Sequence, residues 1–288
     1  MQEIWPDVIL PLSNHGDRDG FLAVGASPDE VLWLTAPQPL PDGATFAKKT
    51  VMQLHSYRSG PEATTRPYAH WRRPHFVQRA KGGFMFVAAR APDDEANAWW
   101  ADDALKSERP LLLGDGIADV RVAPSGKIWT AYFDEGVFGG GLGTGGLLEF
   151  DASGRKRWAH DAEKAGTDEI ADVYALNLAA EDDVWLYFYT PFSIVRWLRK
   201  RPTVWQTRVQ GARAIATQQN QALLFGDYED PLAIRILDLP SSGGVARVKR
   251  RLLLRLPPGT ELESIQAYGA GQRLVLCSSS QLMIIERW

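Results

Sequence analysis

Six stretches of this chain repeat one pattern: a short strand, a polar turn, and a second strand richer in bulky apolar residues. They are FLAVGASPDEVLWLTA from Phe21, HFVQRAKGGFMFVAAR from His75, IADVRVAPSGKIWTAYF from Ile117, DVYALNLAAEDDVWLYFYT from Asp172, ARAIATQQNQALLFGDY from Ala212 and SIQAYGAGQRLVLCSS from Ser264. Anchoring each copy on one residue of its second strand (Trp33, Phe86, Trp129, Trp185, Leu224 and Val275) gives a mean spacing of about 48 residues, a blade-sized repeat. Six such repeats account for all 288 residues, which leaves no room for a second domain.

The third copy is the most complete. Strands are expected at Asp119–Ala123, Lys127–Phe133, Leu147–Asp151 and Arg155–His160, with turns at Pro124-Ser125-Gly126 and Ala152-Ser153-Gly154 and a glycine loop between. Four antiparallel strands joined by short connections make one blade of a β-propeller. The fold class is therefore all-β: a six-bladed β-propeller with four-stranded antiparallel blades, residues 1–288 forming one domain. The last copy has three strands of its own. The apolar segment Ile4 to Leu12 is expected to supply its outer strand, which would cover two open sheet edges. Pro6 and Pro11 suit an edge, where a missing N–H costs little.

Composition narrows the function classes. A net charge of −3 lacks the basic face of a nucleic-acid binder. No basic-then-apolar leader opens the chain, and no window of eighteen apolar residues spans a membrane. The single cysteine, Cys277, is expected as a buried, inert thiol in a reducing compartment, so the cytoplasm is the expected location. Eleven tryptophans suit the wedges between blades, where large flat rings bury the most area.

Most motifs read as structure. Gly141, Gly143 and Gly146 match G-x-G-x-x-G, but a strand and not a helix follows, so the match is read as a tight loop. The acidic, alanine-rich stretch Ala91 to Pro110 has helix-like spacing at Ala96, Trp99, Trp100 and Leu105 and reads as a short helix or lid. The five histidines show no ligand spacing and are expected on the surface or rim; the basic run Arg247 to Arg251 is expected to be a solvated face. No H-E-x-x-H, G-x-S-x-G, C-x-x-C or P-loop lysine is present.

Topology then suggests a site. In a meander the segment leading into the first strand and the turn after the second share one face of the disc. Asp115, Asp119, Asp134, Glu135, Asp168, Glu169, Asp172, Asp227, Glu229 and Asp230 fall there, and the basic turn Arg199 to Arg201 falls on the other. One channel mouth is therefore expected to be acidic. The ligand-binding candidates are Asp119, Asp134, Glu135, Asp172, Tyr174 and Asp227. Converging carboxylates hold a hard divalent cation, bind a cationic ligand, or serve as acid and base. The leading expectation is a binding module whose mouth receives a small ligand, a cation or a partner loop. The alternatives are a metal-dependent hydrolase or lyase using the same acids, and a structural scaffold for protein partners.

The pair I-A-D-V-R…G-K-I-W-T-A-Y-F-D-E-G-V-F-G and I-A-D-V-Y-A-L-N…V-W-L-Y-F-Y-T resembles an uncharacterised bacterial propeller family, which implies the fold and carries no activity. WD40 signatures are missing. The channel metal pattern of the gluconolactonase group (a Glu, two Asn and an Asp) is not matched in spacing, although Asn177 and several acids are present.

Overall fold

The computed structural model describes residues 2–12, 19–37, 45–59, 63–92 and 95–288. The repeated pattern folds as antiparallel meanders. The third copy runs Ile117–Val122, Ile128–Tyr132, Leu147–Phe150 and Lys156–Ala159, each within two residues of the sequence expectation. The fourth runs Asp172–Ala180, Asp183–Tyr189, Ile194–Leu198 and Arg201–Gln206. All six anchor residues lie in second strands and are buried.

Among the described residues the ladders join into five sheets, and the fold is a β-propeller. Four sheets of four or five strands stand as separate blades. The remaining eight strands, from the first and second copies, form one sheet, because Val24 of one inner strand pairs in parallel with Phe76 of the next. This differs from the expected six separate blades. The cause is local: Gly25 lets the backbones touch, since a Cβ there would sit 1.4 Å from the carbonyl oxygen of Val77. Gly269 does the same against Ile215, at 1.7 Å.

The N-terminal segment divides its work. Val8–Pro11 pairs antiparallel with Gln281–Ile285 and completes the last sheet, as expected. Gln2–Ile4 adds a short parallel strand to Arg247–Leu254 of the fifth copy. Asp7 clamps the junction by accepting hydrogen bonds from the Glu286 and Arg287 amides and the Arg287 side chain.

Apolar side chains gather in clusters, each shared by two consecutive copies. One further cluster joins the last copy to the first, through Val275, Leu282 and Ile284 against Val24, Val31 and Trp33. The tryptophans sit in these wedges as anticipated: Trp33, Trp129 and Trp197 are among the largest fully buried side chains.

Several expectations need correction. The stretch Ala91 to Pro110 holds no helix among its described residues; it forms the strands Ala98–Asp102 and Glu108–Leu111. Trp99 points into the core and Trp100 lies on the other side, the period of two of a strand. The glycine loop of the third copy is not irregular but folds as a short helix, Asp134–Phe138, and a 3-10 turn, Leu142–Gly145. Gly146 closes that turn at φ 71°, where a Cβ would lie 2.4 Å from Ile170. Three histidines are not surface residues. His55 is buried against Trp33 and bonded to Thr35 and Thr65, His70 stacks on Trp99 and Tyr68, and His160 packs edge-on against Trp197. His15 and the proline-rich connections 38–44 and 60–62 lie outside the described residues.

Trp129 tests the wedge account. Its ring is enclosed by Leu176, Val184 and Trp197 of the next copy, and its indole N–H has no partner. Its value is therefore apolar volume. Trp129→Ala is expected to cost about 3–5 kcal/mol in urea denaturation, and Trp129→Phe less than about 1.5. Equal losses for the two would contradict a packing role.

Candidate functional site

The first strands of the copies line the axis, and the axis is filled with side chains. Arg121, only 2% exposed, donates from Nη1 to the Ala26 carbonyl of the first copy at 3.1 Å. From Nη2 it donates to the Leu176 carbonyl of the fourth copy at 3.1 Å and to the Asp119 carboxylate at 2.8 Å. Tyr268 of the last copy lies against the guanidinium at 5.7 Å. Asn177 spans to the last copy, its amide donating to the Gly271 carbonyl and accepting from the Gly271 N–H, both at 2.8 Å.

Asp119, a sequence candidate, is therefore inside the axis and not at its mouth. Burial pushes its carboxyl up to about 6, against the opposing pull of Arg121 and the Val120 amide. Two more candidates go elsewhere. Glu135 is exposed and pairs with Arg90, which also holds Asp115 at 3.0 Å. Asp227 is tied to Arg235 at 2.7 Å and caps its own turn by accepting from the Glu229 and Asp230 amides. These are structural partnerships that a sequence without contacts does not reveal.

Asp134, Asp172 and Tyr174 do come together, at the end of the axis where the inner strands begin. Asp172 opens its strand, opposite Tyr189 in the ladder. Burial, and then the like charge of Asp134, raise its carboxyl to about 6. Neither a hydrogen bond nor an ion pair reaches the Asp172 carboxylate among the described residues. Asp134, at the start of the short helix, accepts among the described residues only from the Glu135 amide.

Around these acids lies a shelf of tyrosines. The Tyr174 hydroxyl meets that of Tyr228 at 2.8 Å; burial and that contact raise the Tyr174 phenol well above its usual range. Tyr189 stacks near Tyr174 at 6.3 Å, and buried Phe192 props Tyr174, Tyr189 and Tyr228 edge-on. Tyr228 rests over Gly211, where any Cβ would meet its ring at 2.3 Å. Tyr189 and Tyr228 remain 42% and 63% exposed, which leaves ring surface for a ligand. Sequence reasoning missed both. Tyr228 sat in the Asp227 to Pro231 loop already placed on this face, and that was the available signal. Beside the shelf a hollow of about 410 Å³ continues past Phe138, Glu169 and His160.

Such a surface suits a positive group. Half-buried carboxylate charge needs a counter-ion, and the π faces of tyrosines attract cations. A set of three or more His, Cys, Asp or Glu side chains able to hold a metal ion does not occur among the described residues.

The ion pair in the axis is expected to matter for stability. Arg121→Met leaves Asp119 buried and uncompensated and should cost about 3–5 kcal/mol, whereas Asp119→Leu combined with Arg121→Met should recover much of it. Chemical denaturation of both variants checks this; a double variant as unstable as the single one would contradict the charge argument.

No protein-family model and no curated protein sequence matches this chain. Solved structures do. The propeller in a nidogen/laminin complex aligns with a TM-score of 0.55 at 10% identity, over 93% of this chain and 86% of that one. The β-propeller domain of Cps50 (Swd1) from Myceliophteria thermophila gives 0.53 at 9%, over 97% and 99%. Streptogramin B lyase gives 0.52 at 9%, over 96% and 97%. Identities this low transfer neither ligand nor activity. What they share with this chain is the architecture, a β-propeller.

Proposed function

We propose that this chain is a six-bladed, single-domain propeller that works as a binding module for an organic cation. The blade number is supported by the eight-stranded sheet being two meanders joined through one residue pair, and by the buried clusters linking each copy to the next and the last to the first. The cation is an ammonium or guanidinium group, borne by a small molecule or by a basic side chain of a partner protein. One observation carries this reading: the half-buried Asp172 carboxylate stands beside Asp134 without a positive partner, under a rim of exposed tyrosines. A cation placed there neutralises the pair and covers the rings.

The hydrolase or lyase alternative draws less support, because no metal-ligand set of acids or histidines forms among the described residues. Among the described residues no helix is long and apolar enough to cross a membrane. Cys277 is buried and its thiol is pushed up by burial, which supports a structural thiol.

Choline is a direct probe, since its quaternary ammonium binds through charge and ring faces alone. At low ionic strength it should raise the melting temperature of the protein. Asp172→Asn and Tyr228→Ala should each remove that shift, while sucrose produces no comparable site-dependent effect. A choline shift unchanged in Asp172→Asn, or no shift for choline or for an arginine-rich peptide, would overturn the assignment.

A further inference from the structure

The opposite end of the axis carries a cavity that the tyrosine shelf does not involve. It has a volume of about 470 Å³ and is walled by the turns between first and second strands of four consecutive copies. Pro28 to Glu30, Ala80 and Lys81, Ala123 and Pro124, and Ala179 to Glu181 form its rim. Arg121 and Gln78 line it from inner strands; they are 2% and 3% exposed.

Both present buried donors without acceptors. Among the described residues, Gln78 Nε2 and Arg121 Nε have no hydrogen-bond partner, although the two Arg121 Nη atoms are satisfied. A buried donor left unmade is costly, so native sites that keep one usually meet an acceptor from water or a ligand. The acids of the rim are largely occupied. Glu30 takes a two-pronged contact from Arg79 at 2.8 Å and a bond from Ser56, and Glu181 accepts from Ser125 and faces Lys127. Asp29 is exposed at the edge. Lys81, also exposed, has no ion pair among the described residues, and Arg58 reaches Glu30 only at 3.5 Å while remaining 66% exposed.

We propose that this cavity is a second binding site, for a small oxyanion, whose oxygens accept from Gln78 and Arg121 and whose charge is met by Lys81 and Arg58. A carboxylate and a phosphate share this chemistry. Arg121 lies on the inner wall of the cavity, so a ligand entering between the turns meets its guanidinium.

Isothermal titration of the full chain at low salt with succinate, inorganic phosphate and neutral succinamide separates the outcomes. Binding of succinate or phosphate, with succinamide at least tenfold weaker, supports the proposal, and the preferred anion identifies the ligand class. Gln78→Leu, an apolar replacement of similar size, should weaken the anion about tenfold while leaving thermal stability equal or higher. Lys81→Glu, on the surface, should weaken it further and remove much of its salt dependence. No binding of either anion at about 10 mM would overturn the site, since affinity weaker than the millimolar range is not a built pocket. Anion binding unaffected by both substitutions would overturn it equally.

Discussion

The arrangement of this propeller turns on one buried ion pair. Asp119 and Arg121 are two residues apart on the same inner strand, so both side chains face the axis. Arg121 bonds the first, third and fourth copies at once. Taking two charges out of water is expensive, and the pair breaks even only when the remaining donors find partners. Here the Nη atoms do and the Nε atom does not. The pair therefore closes the channel and fixes which inner strands meet, more than it adds net stability.

It also gives the axis a polarity. The strand runs from the Asp172 end towards the turn end, so Asp119 is nearer the first and Arg121 nearer the second. The negative member backs a face with Asp134, Asp172 and exposed tyrosines. The positive member floors a cavity with Gln78 and Lys81 on its walls. Aromatic wedges hold the sheets radially around this axis, and Gly25 and Gly269 permit neighbouring inner strands to approach backbone to backbone.

Much of the architecture was legible in the sequence because it rests on local signals that repeat. Turn residues at fixed offsets, Trp129 and Trp185 at equivalent positions, and Val8 to Pro11 lacking a partner of its own all have meaning without long-range contacts. The errors came where a local pattern had two readings. Trp99 and Trp100 suited a helix face and a strand equally, and pairing with Gly83–Val87 decided for the strand. Buried histidines such as His70 were hidden for a similar reason, since their rings are made acceptable by stacking on Trp99 and a contact with Glu108. Face assignment from topology placed Asp134, Asp172 and Tyr174 together. It could not tell that Arg90, Arg235 and Arg121 would claim Glu135, Asp227 and Asp119, because those pairings depend on register and depth.

If Asp172 is to receive a cation, the titration of its own carboxyl reports it. A carboxyl raised in the folded state holds its proton more tightly there than in the unfolded chain. Its ionisation therefore lowers stability as pH rises from about 4, the unfolded value, to about 6: the penalty is absent below that window and complete above it. Carbon-detected NMR of the Asp172 carboxyl, followed through pH, should give a midpoint near 6 in the free protein and a clear fall when choline is added. A midpoint near 4, unmoved by choline, would contradict the account.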